Sequence, residues 1–167
     1  MEGDEFLSAL CAAVMRSGAW GQRLASQFGS WASIVGDPVS ARLERVPSPG
    51  KWNGREHLAH ITRMHGVCSA RIRVILARES PTLPAYRAEK DPTWAQWRQI
   101  PVPELLETAA RRRETLVETV QELSDAELDR IGVHTRLGPM PMSEWLEFFL
   151  LHESHHLYEI FKLARTA

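Results

Sequence analysis

Proline spacing constrains this chain more than any other feature of its sequence. Eight of the ten prolines fall in four close pairs, Pro47/Pro49, Pro81/Pro84, Pro101/Pro103 and Pro139/Pro141. A proline inside a helix removes a hydrogen bond and clashes with the preceding turn, so each pair predicts a connection. The segments between them run about 20 to 30 residues, are rich in Ala, Leu, Arg and Glu, and show no period-two alternation. The reading is all-α, with a first helix at roughly 4–33, a second at 53–79, a short one at 92–100, a third at 103–123 and a fourth at 143–165. Such a pattern predicts one four-helix-bundle domain over 1–167, with a long crossover at 80–102 between the second and third helices.

Local signals agree. Asn53 can cap the second helix while Glu56 reaches back to complete a capping box, and Ser143 with Glu144 predicts a similar, less complete start for the fourth. The first helix is weakened by Gly18, Gly21 and Gly29, which predict a kink or break near 18–21.

Composition excludes several classes. With 44% hydrophobic residues in 167, the chain can bury a core without staples. A net charge of −1 gives no electrostatic footprint for nucleic acid. Cys11 and Cys68 lack metal-ribbon or disulfide-framework spacing and read as small core residues, which fits a reducing cytoplasm. Glu2, Asp4 and Glu5 precede the apolar run 9–15 where a signal peptide would be basic, and no apolar run approaches a membrane span.

Six of the seven histidines cluster on two of the expected helices: His57, His60 and His65 on the second, His152, His155 and His156 on the fourth. Trp145, Phe149, His152, His156, Ile160 and Leu163 follow one helical stripe, so His152 and His156 project side by side toward the core. A lone histidine there is usually a hydrogen-bonded core residue; two adjacent imidazoles can instead share one divalent ion. The second helix must then supply a third ligand. Its apolar arc contains His57, His60 and His65, and periodicity alone slightly favours His57.

The stretch GKWNGREHLAHI at 50–61 resembles the tryptophan-led second-helix motif of the DinB/YfiT-like superfamily, in which the metal histidine stands eight residues after the tryptophan. From Trp52 that position is His60. The closing stretch at 137–163 is similar to the family's last helix and places His152 and His156 on its two histidine positions, while DPTWAQW at 91–97 and ARRRETL at 110–116 fit its middle region. The resemblance implies a divalent metal, commonly zinc or nickel, on His60, His152 and His156. It also implies an activity of the thiol S-transferase or isomerase type, acting on an electrophilic substrate with a low-molecular-weight thiol. Metal-dependent hydrolysis is the alternative and needs a general base, for which His65, His155 and Glu159 are the candidates; His155 and Glu159, at i and i+4, also form a candidate acid/base pair. A non-catalytic, stress-related metal-binding protein is a third reading, and haem ligation ranks lower.

Other residues carry plainer readings. The six tryptophans are packing residues, with Trp94 or Trp97 offering a place to stack a substrate. Arg111, Arg112 and Arg113 read as a solvated face, unless one turns inward to hold an anionic group. His134 falls in a loop. Finally, Leu146, Leu150, Leu157 and Phe161 form a second apolar stripe on the fourth helix, which predicts a homodimer unless another part of the chain covers it.

Overall fold

The computed structural model describes residues 19–35 and 40–165. In chain order it contains α1 (Ala19–Val35), a 3₁₀ turn (Ser40–Glu44), α2 (Gly54–Ala77), β1 (Thr82–Leu83), a second 3₁₀ turn (Ala88–Lys90), α3 (Trp94–Trp97), α4 (Val102–Gln121), α5 (Asp125–Leu128), β2 (Ile131–His134), β3 (Gly138–Pro141) and α6 (Met142–Arg165). The four long helices are those expected. The N-terminal half of the expected first helix, with Gly18 and Cys11, lies outside the described residues. No described helix is long and apolar enough to cross a membrane.

Helix α1 packs on α4 and α6, and α2 packs on the same two, so α1 and α2 lie on opposite sides of the bundle. Intimate packing of α2 on α6 brings the two histidine clusters together. The start of α2 is fixed by the anticipated capping box: Glu56 N–H donates to Asn53 Oδ1 at 2.8 Å, and Asn53 N–H donates to Glu56 Oε2 at 2.9 Å. No break occurs at Gly21. A Cβ there would lie 2.5 Å from the side chain of Gln121, so this glycine permits close approach of α1 and α4.

A small three-stranded sheet departs from the all-helical reading: β1 pairs parallel with β2, and β2 antiparallel with β3. Pro139 and Pro141 do not mark a plain connection; they sit in β3, the edge strand, opposite Val133 and Ile131. Val133 N–H donates toward β1, to the Pro81 carbonyl at 2.8 Å, so the backbone opposite Pro139 makes its bond on the other side. Proline is tolerated at such an edge position because no ladder bond is lost. His134, expected in a loop, closes β2. Ser143 lies within the first turn of α6, where Met142 N–H is taken by the Arg130 carbonyl at 2.9 Å.

Two apolar clusters form the core. One gathers Trp20, Leu24, Cys68, Ile75, Leu116 and Trp145, the other Trp31, Leu43, Leu58, Leu105, Leu157 and Ile160. Leu146, Leu150 and Leu157 are buried within the single chain, while Phe161 is exposed. Intrachain packing therefore removes most of the stripe that motivated a dimer; Leu151, Tyr158 and Phe161 are the large apolar residues that α6 leaves exposed.

Candidate metal centre

Between the two apolar clusters lies a polar layer contributed mainly by α2 and α6. His60 projects from α2 toward His152 and His156, one turn apart on α6. His60 Nε2 lies 3.2 Å from His152 Nε2, and His156 Nε2 lies 3.3 Å from the same atom. One ligand atom from each ring falls within 4.8 Å of the other two. Four ligands about 2.0–2.1 Å from a tetrahedral zinc are separated by about 3.3 Å, the spacing seen here.

These separations suit hydrogen bonds between rings as well as ligation of one ion. A ring nitrogen either carries a proton or presents one lone pair, so His152 Nε2 cannot donate to both neighbours. Electrostatics favour the form a metal requires. Desolvation by burial, joined by the neighbouring imidazoles, pushes His60 down to about 3 and His156 to about 2. Burial, then His155 and Arg71, brings His152 to about 4. All three are neutral near pH 7 and each offers a lone pair. Buried Nδ1 atoms of His60 and His152 have no hydrogen-bond partner, so nothing behind these two rings fixes their tautomer. Among the described residues the cluster comprises these three histidines, and the donor set fits a divalent ion with a coordination position left open.

His57 is not in the trio, although it lies nearer the middle of the apolar arc. Its Nδ1 lies 2.8 Å from Nδ1 of His156. With a metal on His156 Nε2, its Nδ1–H would donate to His57, and the contact holds the ring in place. Trp52 forms a wall: its ring lies 5.1 Å from His60, 5.5 Å from His57 and 6.0 Å from His156, nearly parallel to the last. Trp52 was legible in the sequence only as the leader of the motif. Trp94 is buried against Trp52, and Trp97 lies beneath Arg112, whose guanidinium is 4.7 Å from its ring.

The candidate bases are placed differently. His65 is fully buried; its Nδ1–H donates to the Ile61 carbonyl at 2.8 Å, and its Nε2 lies 3.6 Å from Glu153. That removes it as a base beside the trio. His155 and Glu159 line a groove with Trp52, His57 and Lys162, and Glu159 accepts from Lys162 Nζ at 2.8 Å. His152 instead opens onto another cavity, formed with Met64, Arg71, Tyr86, His134 and Phe148. The candidate acid/base pair and that cavity thus lie on different faces of the histidine cluster.

Sequence reasoning missed the inner half of the polar layer. Arg113 turns inward, yet its partner is Glu153 rather than a substrate; the pair is buried, and Glu153 also accepts from Gln27 Nε2 at 2.9 Å and Trp31 Nε1 at 3.2 Å. The crossover is organised by Asp91, which accepts from Thr93, from the Tyr86 hydroxyl at 2.9 Å and from Arg63 at 2.9 Å. Burial works to raise this carboxyl, but the hydrogen bonds and the Arg63 charge outweigh it and hold it at about 2. Cys68 is buried and its thiol is pushed up to about 12, which suits a core residue and not a nucleophile.

Fold and site together define a four-helix bundle with a three-histidine cluster between adjacent helices. Residues 31–160 match the profile of the DinB superfamily, and the chain belongs to that family. It is similar to a protein of Oceanobacillus iheyensis named "Putative metal-dependent hydrolase OB0413", with 26% identity over 140 residues, covering 80% of this chain and 79% of the relative. Among solved structures it resembles YfiT from Bacillus subtilis, described as "a probable metal-dependent hydrolase with an unusual four-helix bundle topology". The TM-score is 0.76 at 18% identity, over 87% of this chain and 84% of YfiT.

Proposed function

We propose that this chain is a metal-dependent enzyme in which His60, His152 and His156 hold one divalent ion, zinc or nickel. The observation that carries the reading is the convergence of three neutral imidazole nitrogens with separations of 3.2 and 3.3 Å. When bound, such an ion lowers the pKa of a water or thiol and polarises an electrophile. His57 orients His156, Trp52 excludes water from one side, and Tyr86, whose ring is 5.6 Å from His60, bounds the other.

The finer reading is thiol S-transfer or isomerisation with a low-molecular-weight thiol in the cytoplasm. Its support is the lining of the cavity beside His152, where the described residues include no carboxylate base and the titratable groups besides His152 are His134 and Tyr86. Hydrolysis of an ester or amide needs a base for the proton of the attacking water, whereas a thiol held by a divalent ion would lose its proton to the ion's charge; in either reaction the leaving group takes its proton from solvent or His134. Hydrolysis is the second reading, favoured by the names of the two relatives. A hydrolase would draw on His155 and Glu159 only if its substrate reached the opposite groove.

The test is a comparison of zinc- or nickel-loaded and metal-stripped protein. Metal-dependent conjugation of a small thiol with an electrophile supports the transferase reading. Metal-dependent ester cleavage without thiol conjugation replaces it with the hydrolase. Stoichiometric metal with neither activity leaves the non-catalytic metal-binding reading.

A further inference from the structure

The cavity beside His152 has a volume of about 330 Å³ and is framed by Arg71, Arg136, His134, Tyr86 and Phe148. Two guanidinium groups border it and, among the described residues, no acidic residue does. Arg71 is half-buried; one of its nitrogens donates to the Pro84 carbonyl at 2.8 Å, and the group lies 4.9 Å from the Trp145 ring. Neither contact supplies a counter-charge. A cation withdrawn from water without an anionic partner is costly, so the site is predisposed to take an anion.

His134 adds a directional donor. Its Nδ1 accepts the backbone N–H groups of Arg136 at 3.2 Å and Leu137 at 3.1 Å, which places the ring proton on Nε2. The β2–β3 turn thereby ties His134 and Arg136 into one rigid unit at the rim. Gly138, with φ of +85°, lets the hairpin close there. The sheet that was absent from the sequence reading therefore has a placement role: it carries two of the cavity's polar groups to the side of the bundle onto which His152 opens.

The same side is basic beyond the cavity. A neighbouring groove of about 540 Å³ shares Arg71 and Tyr86 with it and adds Arg63, Arg87 and Lys90. Its one carboxylate among the described residues, Asp91, is already engaged by Arg63, Tyr86 and Thr93. Arg87 and Lys90 thus extend the positive field toward the cavity mouth, where it steers an approaching anion.

We propose that this cavity is the substrate subsite and that it selects small molecules carrying a carboxylate or phosphate group, held by Arg71, Arg136 and the Nε2–H of His134. The anion is anchored there while the reacting end of the molecule faces His152. Planar guanidinium forks match carboxylate and phosphate oxygens in pairs, which gives orientation as well as affinity. This assignment rests on the three-histidine metal reading for the direction of the reacting end, but anion binding itself does not require the metal.

Calorimetric titration of the zinc-loaded and metal-stripped protein tests it, with succinate and inorganic phosphate as anionic probes and succinamide as the uncharged match. Either anion is expected to bind at least about 10-fold more tightly than succinamide, and the two anions separate a carboxylate site from a phosphate site. Arg136→Gln, at an exposed position, and Arg71→Gln should each reduce anion affinity about 5- to 10-fold without lowering zinc content, while Arg73→Gln on the outer face of α2 should change neither. Equal binding of anions and succinamide, or equal loss in Arg73→Gln and Arg136→Gln, overturns the proposal. A second pair of probes, mercaptosuccinate and 2-mercaptoethanol, separates this failure from failure of the thiol reading. Preference for mercaptosuccinate that disappears in Arg136→Gln supports the anion subsite. Succinate binding that depends on Arg136, with no gain from either thiol, keeps the anion subsite and removes the thiol.

Discussion

Two polar clusters share the interior of this bundle, and they are built on opposite principles. Around Glu153, charges and donors answer one another: Arg113, Gln27 and Trp31 all donate to one carboxylate, with His65 beside it. Around His152, three imidazole nitrogens face one another with no carboxylate among them, at 3.2 and 3.3 Å from His152 Nε2. In the first cluster the chain satisfies the carboxylate, although Arg113 Nε and Nη1 and His65 Nε2 are buried without partners, and the cluster links α1, α2, α4 and α6. The second fits a divalent ion from outside the chain. His60 and His65 come from the same helix, five residues apart, yet one belongs to each cluster; the chemistry of a buried histidine is set by what the opposing helix presents to it.

The sharpest way to break this contrast is to remove one member of the Glu153 cluster. Arg113→Ala leaves the Glu153 carboxylate buried without its cation and should cost about 3–5 kcal/mol in urea denaturation, whereas the double change Arg113→Met with Glu153→Leu should recover most of that loss. A double variant as unstable as the single one would show that packing, not charge, holds this layer.

Removing one member of the histidine cluster should have the reverse profile. His60→Ala, His152→Ala or His156→Ala should weaken zinc binding by more than about 100-fold, measured by chelator competition, while the metal-free protein remains folded. Stoichiometric zinc in any of the three single variants would remove that residue from the ligand set.

Acid sharpens the comparison further. Burial lowers the three imidazoles to between about 2 and about 4, below their ordinary value. Between those values and about 6.5 the unfolded chain binds more protons than the folded one, so stability is full above about 6.5 and is lost as pH falls below it. Metal-free protein should therefore lose about 6 kcal/mol between about pH 7 and 5, and the triple His→Ala variant should show a flatter profile, with His65, also lowered by burial, keeping part of the slope. An equal slope in both would place the acid sensitivity elsewhere.

A smaller effect is expected one step out from the cluster. His57→Ala removes the partner of His156 Nδ1 and should lower zinc affinity about 10-fold, with full occupancy regained at saturating zinc. Complete loss of zinc would promote His57 to a ligand. The smallest energetic effect belongs to the surface of α6, where the expected homodimer now depends on the exposed Leu151, Tyr158 and Phe161. Light scattering at twice the 19.0 kDa chain mass, reduced to one chain mass by Leu151→Lys, supports a two-fold contact there, and a single-chain mass in the wild type rejects it. Leu151→Lys itself should change folding stability by no more than about 0.5 kcal/mol.

Helix type, the long helices and the α2 capping box were legible because they depend on residues three or four apart along one chain segment. The short strands were not: β1 spans two residues, and β2 and β3 span four each, too few to display an alternation against the surrounding prolines and glycine. Pairing with one another, not local propensity, makes them strands. The inward turn of Arg113 was likewise hidden, since Arg111, Arg112 and Arg113 look alike until a buried carboxylate faces one of them. Phe161 and Leu150 appeared to share a stripe; packing of α1 over α6 buries Leu150 and leaves Phe161 in water.

The sequence by itself determined the four long helices, the joints between them and the i, i+4 placement of His152 and His156, because helical periodicity converts spacing directly into direction. Motif resemblance singled out His60 where periodicity leaned toward His57. Only the tertiary structure decided that His60 meets His152 and His156, that His57 supports His156 from behind, and that His65 belongs to Glu153. Those distinctions rest on which side chains the opposing helices bring within hydrogen-bonding distance, a long-range relation that no local pattern encodes.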